Sequence, residues 1–261
     1  MSQCYEWTNF DKRERLDNVW QCGLKLWESD FTGCGQNNAV LTLLSGRWSG
    51  DRLVWFGCEG LGYIKNDTPF KDLLLSIDFE EEYYTYADIT GLFPDAAGKL
   101  GVDWSGDDGG RDVLYTGPFD TEVQWLRYVV NLDKKQFIDR ERTAVHLVVP
   151  GEVWRDDLFP VLSVPFDWDP KTSYLGMWFG DRLTATNVRP PEEYEDLSYL
   201  KSERSVTTGL SNEEILAYVS EGAPEVTEDP STPYRDTAWY KYANKRLDEL
   251  IGLDFSGVIV S

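Results

Sequence analysis

The chain has 261 residues, is 41% hydrophobic and 14% aromatic, and carries a formal net charge of −21. This aromatic content excludes a wholly disordered chain, and no stretch reaches the roughly 18–20 uncharged apolar residues that a membrane span needs. The acidic excess is spread over both halves of the chain. It disfavours direct binding to nucleic acid and favours a protein or peptide with a basic surface as partner.

The N-terminal segment MSQCYEWTNFDKRERLD has charges where a signal peptide would have its apolar core, so we expect a cytoplasmic protein. Its four cysteines, Cys4, Cys22, Cys34 and Cys58, include no C-x-x-C pair, and His146 is the only histidine. This pattern lacks the ligand spacing of a zinc site and is typical of reduced thiols in the cytosol. We therefore expect no metal and no cofactor.

Two short sequences recur in the same order and at nearly the same separation. NFDKRERLD at 9–17 is matched by NLDKKQFID at 131–139, and GRWSGDRL at 46–53 by GMWFGDRL at 176–183. Such internal similarity predicts two tandem copies of one unit, 1–118 and 119–261, packed against each other. The second copy would include a C-terminal helical extension.

Each copy is predicted to open with a β-hairpin, because an apolar or aromatic run leads into Asn-x-Asp-Lys, which favours a turn. A short helix with an Asn cap and a terminal Gly follows at 37–46, and a weaker equivalent at 156–164 contains Pro160. Strands are predicted at 52–58 and 182–188, each beginning at the Gly-Asp corner of a repeated octet.

The remaining elements belong to the second copy. Residues 142–150 are predicted to form the strand that follows the hairpin turn of this copy, and 165–175, rich in Pro, Asp and Ser, a loop. Two helices, 211–222 and 237–252, flank a Pro-rich acidic loop. The predicted class is α+β, as a tandem duplication of a mostly antiparallel β-sheet unit with a few helices.

The polar and aromatic residues that the two copies share are the candidate binding residues. They are Lys12, Trp48, Asp51 and Arg52 in the first copy, and Lys134, Trp178, Asp181 and Arg182 in the second. One interpretation is a pocket in which Asp, Arg and Lys hold a ligand that stacks on the indole. The alternative is structural: Trp packs in the core, Asp caps a turn and Arg pairs with a carboxylate. A contact between the hairpin turn and the Gly-Asp-Arg corner of the same copy would bring its Lys, Asp and Arg side chains together in one place.

Other segments carry weaker signals. The carboxylates of DWSGDDGGRD at 103–112 do not have EF-hand spacing, so a solvated linker is expected. The run FEEEYYTYAD at 79–88 either presents an acidic, tyrosine-rich surface to a basic partner or is an ordinary edge strand or helix face. His146 lies in an apolar alternation that indicates a strand residue rather than a base. The chain has no common hydrolase, phosphate-loop or dinucleotide motif, so no catalytic residue is assigned.

Three motifs of the first copy occur together in one order. Asn-x-Asp-Lys is followed by GLKLWE at 23–28 and then by Gly-x-Trp-x-Gly-Asp-Arg. This combination resembles a family of uncharacterised intracellular proteins associated with actinobacteria and fungi, whose members typically have one such unit. The second copy has no good counterpart of GLKLWE. The resemblance supports the repeat boundary and implies no activity.

Duplication, acidity and the missing catalytic motifs favour a non-enzymatic, acidic, intracellular binding protein. An inhibitor or immunity-type protein that neutralises a basic partner would be one example. The alternative is a hydrolase or transferase that acts on a small anionic substrate through an Asp/Arg/Lys pocket. Mimicry of nucleic acid is a third possibility, and it would require carboxylates spaced like duplex phosphates on one face.

Overall fold

A computed structural model describes residues 5–16, 31–57, 86–89, 123–167, 173–200, 210–225 and 237–251. The strands in this part are β1 (Tyr5–Asn9), β2 (Glu14–Leu16), β3 (Asp51–Gly57), β4 (Ala87–Asp88), β5 (Tyr128–Asn131), β6 (Gln136–Asp139), β7 (Val145–Val149), β8 (Glu152–Arg155), β9 (Pro165–Asp167), β10 (Ser173–Leu175), β11 (Arg182–Thr186) and β12 (Glu195–Asp196). The helices are α1 (Gly35–Leu44), α2 (Leu158–Ser163), α3 (Asn212–Ser220) and α4 (Ala238–Ile251). The α+β class predicted from the sequence is confirmed.

Eight strands form one mixed, mostly antiparallel sheet in the order β12-β6-β5-β11-β3-β1-β2-β4. At its centre β3 and β11 pair antiparallel, with Arg52 opposite Arg182 and Asp51 opposite Leu183. Going outward, each central strand pairs with a hairpin, β1–β2 on one side and β5–β6 on the other. The two edge strands, β4 and β12, run parallel to their neighbours. The sheet therefore continues across the predicted boundary between residues 118 and 119.

The turns of the two hairpins are closed in the same way. Asn9 Oδ1 accepts a hydrogen bond from the backbone N–H of Lys12, and Asn131 Oδ1 accepts one from that of Lys134, both at 2.9 Å. The next residues, Arg13 and Lys135, have φ angles of 56° and 52°, in the left-handed region that non-glycine residues rarely adopt. The Asn side chain thus fixes a turn that the sequence predicted from local chemistry. The strand that follows the second turn is β6 rather than the predicted 142–150, which contains β7 and pairs with β8 instead.

The main hydrophobic core lies between the sheet and the helices α1 and α2. The Trp7 ring stacks on Trp55, with ring centroids 5.9 Å apart, and on Phe159 of α2, at 4.9 Å. Leu41 and Leu44 of α1 pack into the same cluster. Helix α1 is buried on nearly all sides, since Gln36, Asn37 and Thr42 are buried together with its apolar residues.

Both predicted short helices form, but with different ends. Helix α1 begins at Gly35 after Cys34 as N-cap, so the predicted Asn cap at residue 37 is wrong. It is followed by Ser45 in a right-handed conformation, so Gly46 is not a left-handed cap. In α2, Pro160 is the third helical residue. Proline is tolerated there because the first-turn N–H groups have no partner within the helix.

The prediction of a loop at 165–175 is wrong for both ends of this segment, which form short strands. Strands β9 and β10 pair antiparallel over three residues each. Pro165 is accommodated because it is the first residue of its strand. A Cβ at Gly176, directly after β10, would lie 2.1 Å from the carbonyl oxygen of Leu162, so this position requires glycine.

A second hydrophobic cluster joins the β7–β8 hairpin to α3 and α4. Its buried members include Val148, Ile215 and Trp239. The predicted helix at 211–222 is confirmed as α3, whose N-terminus has a capping box between Ser211 and Glu214. Hydrogen bonds from Ser211 lower the pKa of Glu214. No helix in the described ranges is both long and apolar enough to cross a bilayer.

Cys34 is disulfide-bonded, and its partner lies outside the described residues. The expectation of reduced thiols throughout is therefore wrong at this position. Several other predictions fall outside the described ranges and stay predictions. They concern GLKLWE at 23–28, the linker at 103–112, most of the acidic run at 79–88 and most of the loop between α3 and α4.

Candidate functional site

The first Gly-Asp-Arg corner, residues 50–52, contacts the turn of the β1–β2 hairpin. Asp51 accepts a hydrogen bond from Asn9 Nδ2 at 2.8 Å and forms an ion pair with Lys12. The backbone N–H of Arg52 donates to Asp11 Oδ2 at 2.7 Å, and its Nε and Nη2 donate to Asp11 Oδ1 at 2.9 and 2.6 Å. Two ion pairs therefore link the turn to the start of β3. The turn supplies the cation in one pair and the carboxylate in the other.

The second Gly-Asp-Arg corner, residues 180–182, makes the same contacts with the turn of the β5–β6 hairpin. Asp181 accepts from Asn131 Nδ2 at 2.7 Å and forms an ion pair with Lys134. Arg182 donates from its backbone N–H to Asp133 Oδ2 at 2.8 Å, and from Nε and Nη2 to Asp133 Oδ1 at 2.8 and 2.6 Å. The contact that would gather Lys, Asp and Arg in one place is thus present in both halves.

The two corners meet at the centre of the sheet, where Arg52 lies opposite Arg182. Like charges directly opposite each other destabilise a sheet unless other charges compensate them. Here the hydrogen bond to Asp11 raises the pKa of Arg52, and the hydrogen bond to Asp133 raises the pKa of Arg182. Each carboxylate also lies in the field of the opposite corner's arginine.

The carboxylates of the corners respond to the same contacts. Partial burial acts to raise the pKa of Asp11, but the hydrogen bonds and charge of Arg52 outweigh it and lower the pKa. The side-chain hydrogen bond from Arg182 lowers the pKa of Asp133. Both carboxylates are therefore ionised at neutral pH. Together the two corners hold as many carboxylates as cations, and their charges cancel.

Neither repeated tryptophan presents an open face. Trp48 and Trp178 are both 0% exposed and belong to the main core. The indole N–H of Trp48 donates to Glu14 Oε2 at 2.7 Å, and that of Trp178 donates to Gln136 Oε1 at 2.9 Å. In this arrangement neither indole can stack on a ligand, which fits the structural alternative for the octets.

The chemistry open to the corners follows from these pairings. Each of the four cationic side chains already binds a carboxylate of its own chain, so a small anion would have to displace an ion pair. No group of three or more His, Cys, Asp or Glu side chains that could hold a metal ion occurs in the described ranges. The interpretation of these residues as a binding site stays a prediction. The geometry favours a structural role, in which they hold each hairpin turn against the neighbouring central strand.

A buried ion pair at the start of α2 was not predicted from the sequence. The side chains of Arg140 and Asp157 are both 0% exposed and lie 2.7 Å apart. Arg140 also donates to the carbonyl oxygen of Leu126 and to Asn38 Oδ1, each at 2.9 Å. Burial raises the pKa of Asp157, and Arg140 opposes this effect. The only sequence signal was the pair Asp156–Asp157 before a short apolar segment, which is also common at surfaces.

A second buried arginine joins the β7–β8 hairpin to the start of α3. Arg155 is 1% exposed and donates to Asn212 Oδ1 and the carbonyl oxygen of Thr143, each at 2.6 Å, and to that of Leu210 at 2.9 Å. Burial lowers the pKa of Arg155. The guanidinium thus ties β8 to the N-terminus of α3 through neutral acceptors.

His146 lies in β7, as its apolar surroundings indicated. Its ring stacks on Phe31, with centroids 5.5 Å apart, and its Nδ1 lies 3.2 Å from Asp156 Oδ1. An imidazole–carboxylate contact orients a histidine, but nucleophilic catalysis also needs a hydroxyl or thiol within reach of the ring. The contact with Asp156 thus fixes the orientation of the His146 ring within β7.

Comparison with known proteins adds no relative. No family model matches the chain, and neither the curated proteins nor the solved structures include a significant match. The family resemblance stays a prediction that depends on the three motifs alone.

Proposed function

We propose that the protein is a non-enzymatic binding protein whose acidic surface binds a protein or peptide with a basic surface. The observation that supports this proposal is the pairing of the cationic side chains within the chain. Most lysines and arginines in the described ranges pair with carboxylates of the same chain, among them Arg52, Arg127, Arg140 and Arg182. In the described ranges the carboxylates outnumber the lysines and arginines, so several carboxylates have no such partner among these residues.

Several of these carboxylates face solvent. The exposed glutamates that have no ion-pair partner among the described residues are Glu152, Glu192, Glu193, Glu195, Glu213, Glu214 and Glu225. Unpaired surface carboxylates attract cationic partners, speed up their association and repel small anions. An inhibitor or immunity-type protein acting on a basic target remains one concrete form of this proposal.

The alternative, an enzyme that acts on a small anion through the Asp/Arg/Lys corners, has less support. An arginine that recognises phosphate or carboxylate uses its fork of N–H donors. In both corners Nε and Nη2 already donate to an aspartate. A small anion would compete with these carboxylates and would also approach a strongly acidic molecule.

We further infer that residues 1–118 and 119–261 descend from one duplicated unit. The two corners support this inference because every hydrogen bond of the first has a counterpart in the second. Two central glycines add to it: Gly50 N–H donates to the carbonyl oxygen of Leu183 at 2.8 Å, and Gly180 N–H donates to that of Leu53 at 3.2 Å. Both glycines have positive φ angles, 80° and 68°. A duplicated unit would give the protein two similar halves around its centre.

The proposal is tested by titrating the protein with a fluorescent peptide rich in Lys and Arg, and with an acidic peptide of equal length. We expect the basic peptide to bind, with an affinity that falls steeply between about 50 and 300 mM NaCl because salt screens exposed charges. The acidic peptide should not bind. Absence of basic-peptide binding at low salt, or thermal stabilisation by inorganic phosphate instead, would refute the proposal.

A further inference from the structure

Large exposed apolar side chains are concentrated at one end of the sheet. In the described ranges these side chains are Val123 at 38% exposure, Trp125 at 45%, Met177 at 48%, Val188 at 74% and Tyr199 at 67%. Val123 and Trp125 precede β5, Val188 follows β11 and Tyr199 follows β12, and the pairing of these strands with each other and with β6 puts all four at the same end of the sheet. We call Val123, Trp125, Val188 and Tyr199 the apolar patch. Clustered apolar exposure commonly marks an interaction site, whereas scattered single residues need no explanation.

Hydrogen bonds bring the segments of this patch together. The backbone N–H of Arg127, two residues after Trp125, donates to Asn187 Oδ1 at 3.0 Å, next to Val188. The backbone N–H of Asp139 donates to Ser198 Oγ at 2.7 Å, next to Tyr199. The backbone N–H of Arg140 donates to the carbonyl oxygen of Arg127 at 2.9 Å and links these two pairs.

Trp125 is held in place before any partner arrives. The Arg140 guanidinium lies over its ring, 4.1 Å from the centroid. Arg140 is itself fixed by the buried ion pair with Asp157. A rigid aromatic side chain loses little conformational entropy on binding, which is why tryptophan and tyrosine are common hot-spot residues.

The segment that carries Val188 and Tyr199 is acidic. Between residues 187 and 199 it contains Glu192, Glu193, Glu195 and Asp196 against the single cation Arg189. Tyr194 anchors this segment by packing against Tyr128, Val130 and Phe137. The nearby cations Arg127 and Arg142 pair with Asp139 and Asp196. Charge complementarity therefore selects a cationic occupant, and the apolar patch selects one that also offers apolar side chains.

We propose that the apolar patch and the acidic segment 187–199 form the docking surface for a basic protein segment in which Lys and Arg alternate with large apolar side chains. This inference depends on the proposed function and adds the location and the chemistry of the contact. It predicts that binding responds to apolar substitutions at the patch and not only to net charge.

The test uses two peptides of equal charge, one combining Lys and Arg with Leu and Trp, the other combining them with Ser. We expect the wild-type chain to bind the apolar peptide about tenfold more tightly than the serine peptide. Val188→Ser combined with Tyr199→Ser should abolish this preference. Met177→Ser removes an exposed apolar side chain elsewhere and should leave the preference unchanged.

The charged part of the surface is tested with a matched pair of variants. Glu192→Gln with Glu193→Gln should weaken binding of both peptides several-fold more than Glu152→Gln with Glu225→Gln, although both variants lose the same charge. All variants change exposed side chains, so thermal unfolding should confirm that they are folded.

The outcomes separate this inference from the proposed function. If the wild type binds both peptides equally, or if the patch and control variants behave alike, the docking surface is wrong while general binding of basic partners stands. If the wild type binds neither peptide at low salt, the proposed function fails, and this inference fails with it. A preference that disappears only in the patch variant supports both.

Discussion

Replacing Asp157 with alanine is expected to lower the free energy of unfolding by about 3–5 kcal/mol, because it leaves a buried guanidinium without its counter-charge. Arg140 is 0% exposed and cannot recover hydration without opening the structure. The substitution also removes the acceptor of a hydrogen bond from Asn37 Nδ2. Chemical denaturation followed by circular dichroism measures this loss.

Two further variants test whether the cost comes from the isolated charge. Arg140→Met combined with Asp157→Leu removes both charges and should lose much less stability than Asp157→Ala alone. Arg142→Ala breaks the ion pair with Asp196 from the side of a residue whose side chain is 57% exposed, and should cost less than about 1 kcal/mol. If Asp157→Ala also costs less than that, the buried pair does not have the structural role assigned to it.

Replacing either repeated tryptophan with alanine is expected to lower the free energy of unfolding by about 3–5 kcal/mol. Trp48 and Trp178 are both fully buried, and each donates its indole N–H to a side chain of the neighbouring hairpin. Each substitution leaves a large cavity and an acceptor that loses its donor. Because both indoles are fully buried and each has one side-chain acceptor, the two losses should agree within about 1–2 kcal/mol, as measured by chemical denaturation.

The matched control for the tryptophans is Tyr199→Ala, which removes an aromatic side chain that is 67% exposed. Its cost should stay within about 1 kcal/mol. A small loss for Trp48→Ala together with a large loss for Trp178→Ala would show that the two octets are not structurally equivalent. Small losses for both would contradict their role in the core.

Features that depend on short stretches of chain could be predicted from the sequence. The hairpin turns follow from Asn9 and Asn131, which bind backbone N–H groups three residues ahead. The capping box of α3 follows in the same way from Ser211 and Glu214. In each case the signal and the structure that it predicts lie within a few residues, so no tertiary contact has to be known.

Features that depend on tertiary contacts could not be predicted. Arg140 lies in a charged stretch, IDRER, that reads as exposed, and only the packing of α1 and α2 around it makes it buried. The repeated octets revealed that Asp51 and Arg52 matter but not what they bind. Their partners, Lys12 and Asp11, lie about forty residues earlier and meet them only because β1 pairs with β3.

The corners therefore explain why the chain repeats its motifs without requiring a ligand. Asp51 and Asp181 fix the two hairpin turns, and Arg52 and Arg182 complete the pairing where the two halves join. On this account the repeated polar residues maintain the fold. We propose that recognition belongs instead to the acidic surface at the end of the sheet that carries Trp125 and Tyr199.

The most direct test measures thermal stability and basic-peptide affinity side by side in the variant Arg52→Lys with Arg182→Lys. Lysine keeps the charge but cannot reproduce the fork of hydrogen bonds to Asp11 and Asp133. We expect a lower melting temperature and a peptide affinity within about twofold of the wild type, which corresponds to less than about 0.5 kcal/mol. An unchanged melting temperature with a loss of affinity would contradict the account, because it would place the binding site in the corners.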